Sequence, residues 1–106
     1  MKKGLLWCVF FMSSLAMTSF AAAEDGAALV LKYRCNACHK VDAKAIGPSF
    51  QDIAKKYAGN ATAGAKIGES IKNGSKGVWG SMPMMPNKNI NDQDMKTIVD
   101  YVLGVK

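Results

Sequence analysis

Between residues 24 and 106 the apolar positions fall into four short runs, most of them spaced at three and four residues, and nothing alternates like a strand for long. Asp25 or Gly26 can open a first helix through Ala28, Leu29, Val30 and Leu31 to about Arg34, which delivers the chain to Cys35. Ser49 is placed to cap a second helix carrying Phe50, Ile53, Ala54 and Tyr57, stopping near Gly59. A third is predicted from about Ala63 to Asn73, with Ile67 and Ile71 on one face and Gly74 at its end. The last has the clearest start: Asn91 as cap, Asp94 at the third helical position, and Ile90 placed to staple against Met95. Its stripe is Met95, Ile98, Val99, Val102 and Leu103. The stretch between Gly74 and Asn91 holds too many glycines, prolines and asparagines for a regular element and reads as a functional loop. The expected class is all-α, in one domain without linker or repeat over residues 24 to 106.

The first 23 residues have another logic: Lys2 and Lys3, an apolar run from Leu5 to Met12, then small residues ending Ala21-Ala22-Ala23. This is the pattern of a secretory signal peptide cleaved after Ala23. An uncleaved anchor is the competing reading, because Gly4 to Ala23 carries no charge. Ser13, Ser14, Thr18, Ser19 and the alanine-rich end favour cleavage. Cys8 follows the bulky Trp7 and reads as a passenger of the signal.

Removing 23 of 106 residues leaves 83, and takes two of the 14 basic residues, leaving 12 against 8 acidic. A mild basic excess suits solubility and can steer docking onto an acidic protein, while export argues against nucleic acid as a partner. A domain this small commonly needs a staple. The two remaining cysteines are too close in sequence for a disulfide to contribute much by loop closure. Something else must complete the core.

Cys35-Asn36-Ala37-Cys38-His39 supplies it, having the spacing of c-type haem attachment. Two thiols separated by two residues can add to the two vinyl groups of one haem, and the next residue offers its imidazole to the iron. A thioredoxin-like pair would want a βαβ context, which is missing. A structural zinc site would need a fourth ligand, and His39 is the only histidine. The second axial ligand is then sought among the methionines, whose soft thioether suits haem iron. Met95 lies on the apolar stripe of the last helix and reads as core, which leaves Met82, Met84 and Met85 of the proline-bearing loop. The glycines from Gly74 to Gly80 lack the spacing of a phosphate loop and fit close backbone approach to a flat cofactor.

These residues resemble the cytochrome c551 family of small bacterial class I cytochromes c. The likeness is carried by Glu24-Asp25, Cys35 to His39, Ile46-Gly47-Pro48, Asp52-Ile53-Ala54, Ile71 to Ser75, Gly77 to Gly80, Pro83-Met84 and Pro86-Asn87. It implies the class I fold, helices wrapped around one covalent haem c, and a monomeric periplasmic electron shuttle. By resemblance Cys35 and Cys38 hold the haem, and His39 and Met84 are the axial ligands. The Pro48 carbonyl accepts from the histidine, the Trp79 indole reaches a haem propionate, and Asn87 lies near the methionine sulfur. Met85 stands where relatives usually have a second proline, which could let the loop breathe or let Met85 compete for the iron. Ser70 stands where relatives often carry an arginine near the propionates.

The partners implied are periplasmic redox proteins in transient contact, such as a nitrite reductase, a peroxidase or a terminal oxidase. Lys32, Lys40, Lys44, Lys55, Lys56 and Lys88 are candidates to surround the exposed haem edge. No catalytic residue and no membrane insertion after cleavage are expected. A ligand-binding or peroxidase-like haem protein is the alternative if the methionine loop opens. A docking module of a larger complex is the alternative if the signal stays as an anchor.

Overall fold

A computed structural model describes residues 25–106, and the expected signal segment lies outside the described residues. The order is α1 (Gly26–Lys32), a 3-10 turn (Cys35–Ala37), α2 (Phe50–Tyr57), α3 (Ala63–Asn73) and α4 (Asp92–Leu103). Among the described residues there is no strand, only an isolated antiparallel bridge between Ser75 and Met84. No helix among them is long and apolar enough to cross a membrane.

Local chemistry sets most helix ends. Asp25 caps α1 by accepting from the Ala28 amide at 2.8 Å, Ser49 caps α2 from Asp52 at 3.0 Å, and Asn91 caps α4 from Asp94 at 2.8 Å. Asp92 and Asp94 also place negative charge in the first turn of α4, where the helix dipole favours it. Thr62 gives α3 no side-chain cap; instead the Asn60 side chain accepts from the Thr62 amide at 2.9 Å.

The first helix ends sooner than its pattern predicts. Tyr33 is its C-cap, and Arg34 turns left-handed with φ 60°, the one non-glycine residue with positive φ among those described. That conformation costs about 1–2 kcal/mol. It breaks α1 so that Cys35 starts a separate 3-10 turn, closed by the Cys38 and His39 amides donating to the Cys35 carbonyl at 3.2 and 3.0 Å.

All three other helices pack on α4. The core gathers Leu29 and Val30 of α1, Phe50 and Ile53 of α2, Ile67 and Ile71 of α3, and Ile98, Val99 and Val102 of α4. Ile90 is buried with them, and Met95 packs against them, so both ends of the expected staple join the core. The tightest approach is between α1 and α4. A Cβ added at Gly26 would lie 2.2 Å from the Cβ of Tyr101, so only glycine lets the two helices meet there.

Gly26→Ala must therefore push α1 off α4, and is expected to cost about 2–3 kcal/mol. Denaturant unfolding followed by helical circular dichroism will measure it.

Candidate functional site

His39 follows directly on the 3-10 turn, and its ring is fixed from three sides. Nδ1 donates to the Pro48 carbonyl at 2.7 Å, which leaves Nε2 as the nitrogen free to bind a metal. The Phe50 ring stacks on it at 5.5 Å and 24°. Gly47 backs it so closely that an added Cβ would lie 2.7 Å from the ring Cε1. The loop that brings Gly47 and Pro48 here is pinned to the motif segment, because the Gly47 amide donates to the Cys38 carbonyl at 2.8 Å. The Phe50 amide likewise donates to Lys40 at 2.8 Å.

The imidazole opens on a cleft that is apolar almost throughout. Its walls are Cys35 and His39, Phe50, Ile53 and Tyr57 of α2, Ile67, Ser70 and Ile71 of α3, Ile98 and Val102 of α4, and Met84 of the loop. Cys35 is half-buried at the wall of the cleft, Cys38 is exposed, and no disulfide joins them. A second cavity of about 250 Å³ uses the Pro48 end of the His39 hydrogen bond and is more polar, with Lys44, Asp52, Trp79, Ile46 and Met82 around it. Trp79 is 37% exposed at its edge, and the Lys56 ammonium lies 5.1 Å from the centre of its ring.

The methionine loop is narrow at its neck. Ser75 and Met84 exchange both backbone hydrogen bonds, Ser75 N–H to Met84 O at 3.2 Å and Met84 N–H to Ser75 O at 2.8 Å. The Asn87 amide then ties the loop exit to the Ile71 carbonyl of α3 at 2.7 Å. Gly74 makes the neck possible: it has φ 80°, and a Cβ there would lie 2.6 Å from the Met84 carbonyl. Met84 is half-buried, packs on the core and lines the cleft. Met85 is 76% exposed and lines neither cavity, whereas Met82, 64% exposed, lines the polar one. The Asn87 side chain reaches the Tyr33 carbonyl at 3.5 Å.

The structure thus brings Cys35, His39 and Met84 to one apolar cleft and sets the Pro48 carbonyl against the His39 ring. Trp79 belongs to the adjoining polar cavity. The sequence reading passed over Gly47 as a close contact of the histidine ring, Phe50 as its stacking partner and Ser75 as the partner of Met84. The Gly-Pro pair before Ser49 was the one available signal for the first; the other two depend on pairings distant in sequence.

A cleft of this chemistry fits haem: two thiols and a histidine at covalent-attachment spacing, a thioether on the same cavity, and apolar walls for the macrocycle. Comparison with known proteins agrees. The family model described as cytochrome c matches residues 23–106. Cytochrome c-552 of Nitrosomonas europaea is 43% identical over 97 residues, covering 92% of this chain and 92% of the relative. Cytochrome c-551 of Pseudomonas aeruginosa is 45% identical over 86 residues, covering 81% and 82%. The crystal structure of wild-type Nitrosomonas europaea cytochrome c552 superposes with a TM-score of 0.73 at 46% identity, covering 76% of this chain and 99% of that one. The chain belongs to the cytochrome c family. It carries one covalently bound haem c and works as a monohaem electron carrier, not an enzyme.

Gly47→Ala must tilt the His39 ring and weaken its bond to Pro48. A weaker bond makes the imidazole a poorer donor to any metal it holds, so the reduction potential of the haem is expected to rise. Redox titration will measure it, with Gly64→Ala as a control that meets nothing closer than Val99 at 3.7 Å and leaves the potential unchanged.

Proposed function

We propose that this protein is a periplasmic single-electron shuttle between respiratory redox proteins, with Cys35 and Cys38 as the haem-bearing thiols and His39 and Met84 as the axial ligands. The observation that carries this reading is the shared apolar cleft of Cys35, His39 and Met84. Met84 takes the role rather than Met85 because it lines that cleft while Met85 faces solvent. The haem, when bound, supplies the reversible Fe(II)/Fe(III) couple, and histidine with methionine favours Fe(II), giving a relatively high potential.

The remaining roles belong to the chain itself. Pro48 orients the imidazole through its carbonyl and holds the Nδ1 proton. The Ser75 pairing holds the thioether in reach, which offsets the missing second proline. Trp79 and Asn87 support the propionate side and the loop exit. The isoleucines of α2, α3 and α4 exclude water from the iron. Ser70 leaves the cleft without the arginine common in relatives.

Export follows from cleavage after Ala23, giving a monomer of residues 24 to 106. Its partners are periplasmic redox proteins, for example a nitrite reductase, a peroxidase or a terminal oxidase, met in small transient complexes. Of the lysines proposed for docking, Lys44 and Lys56 stand beside the polar cavity and Trp79 and give that rim a positive charge. An acidic partner face suits it, so electron-transfer rates should fall as salt rises.

Two measurements test the reading. Met84→Ala is expected to abolish the weak far-red charge-transfer band of ferric iron bound to a thioether and to admit CO to the ferrous protein, while Met85→Ala keeps the band. Loss of the band in Met85→Ala alone would overturn the assignment, and rapid CO binding by the unaltered protein would favour a ligand-binding haem protein. Mass spectrometry is expected to find residues 24 to 106 plus one haem, and a mass retaining the first 23 residues would count against export by cleavage.

A further inference from the structure

Tyr33, at the end of α1, bonds both to α4 and to the exit of the methionine loop. Its hydroxyl donates to the Asp94 carboxylate at 2.6 Å, across 61 residues of sequence. The same carboxylate oxygen accepts from the Asn91 side chain at 3.1 Å and lies 4.0 Å from the Lys32 ammonium. Asp94 is largely enclosed, its side chain 19% exposed, and its own amide is held by the Asn91 cap. The acceptor is therefore fixed to the first turn of α4 before Tyr33 reaches it.

Tyr33 is also the last residue before the left-handed turn at Arg34, so helix geometry does not carry its position forward to Cys35. On the other side its carbonyl receives the Asn87 amide group at 3.5 Å, and Asn87 is the residue that anchors the methionine loop to α3. One residue thus touches α4 through its side chain and the loop exit through its carbonyl, at the point where α1 ends.

We propose that Tyr33 is a positioning residue: its hydroxyl bond to Asp94 registers the exit of the Met84 loop against α4 and so holds the loop shut over the iron. The proposal rests on the reading of Met84 as axial ligand. A hydrogen bond to an ionised acceptor is among the stronger ones, and here it is partly enclosed. Without it, Tyr33 can swing with the Arg34 turn, its carbonyl leaves Asn87, and the loop opens more readily.

Cyanide titration of the ferric holoprotein reads loop opening directly, because cyanide binds only where the thioether has left the iron. Tyr33→Phe is expected to tighten apparent cyanide affinity by roughly tenfold, the effect of losing one such bond. In an Asp94→Ala background, itself raised by a similar factor, Tyr33→Phe should add nothing, since the two groups act as one. Val99→Ala supplies a core variant of lowered stability whose cyanide affinity should stay that of the unaltered protein. Unchanged affinity in Tyr33→Phe, additive effects with Asp94→Ala, or an equal rise in Val99→Ala would each overturn the proposal. If the unaltered ferric protein shows no thioether charge-transfer band, the ligand assignment itself fails and the proposal falls with it. With the band present and Tyr33→Phe indistinguishable from the unaltered protein, the role of Tyr33 alone fails.

Discussion

The contact of Gly26 with Tyr101 is the constraint from which the rest of the molecule follows. No side chain separates α1 from α4 at that point, and the Tyr101 ring that packs there also meets Phe50 of α2 edge-on at 6.0 Å and 78°. Phe50 in turn stacks on His39. The crossing of the first and last helices is thereby linked, through two aromatic rings, to the His39 imidazole. Phe50 is buried to 3% exposure, so the relay lies inside the packed core, where small displacements are not easily absorbed.

Against this firmly packed histidine stands a methionine held by backbone. The imidazole is positioned by a stack of side chains and one carbonyl, whereas the thioether rides on a loop closed by two main-chain hydrogen bonds and an amide tied to α3. Both arrangements serve the same end. An electron carrier changes its charge without changing its bonds, and the two proposed ligands, already in place, have little to rearrange when the charge arrives. The apolar walls add to this by keeping water, which would reorient, away from the centre.

Much of this architecture was legible in the residues. The caps at Ser49 and Asn91 marked the starts of α2 and α4, and Gly74 the end of α3, because each is decided by groups a few positions apart. The attachment motif and the class of fold were legible for the same reason. Elements decided by distant partners were not. Nothing local to Arg34 announces a left-handed residue, and it is there that α1 breaks off. Gly26 looked like a helix start, and its contact with Tyr101 is set by the packing of opposite ends of the chain. Which of Met84 and Met85 faces the cleft is likewise set at a distance, where Ser75 pairs with Met84.

That bridge bears on how such a protein can vary. With Ser75 and Met84 locked together, the residues from Lys76 to Pro83 form a closed loop whose two ends do not move when its contents change. Lengthening a closed loop costs little entropy, so insertions or deletions there are tolerable so long as the neck survives. The segment can be remodelled for a new partner in evolution, or in the laboratory, while the sulfur stays where it is.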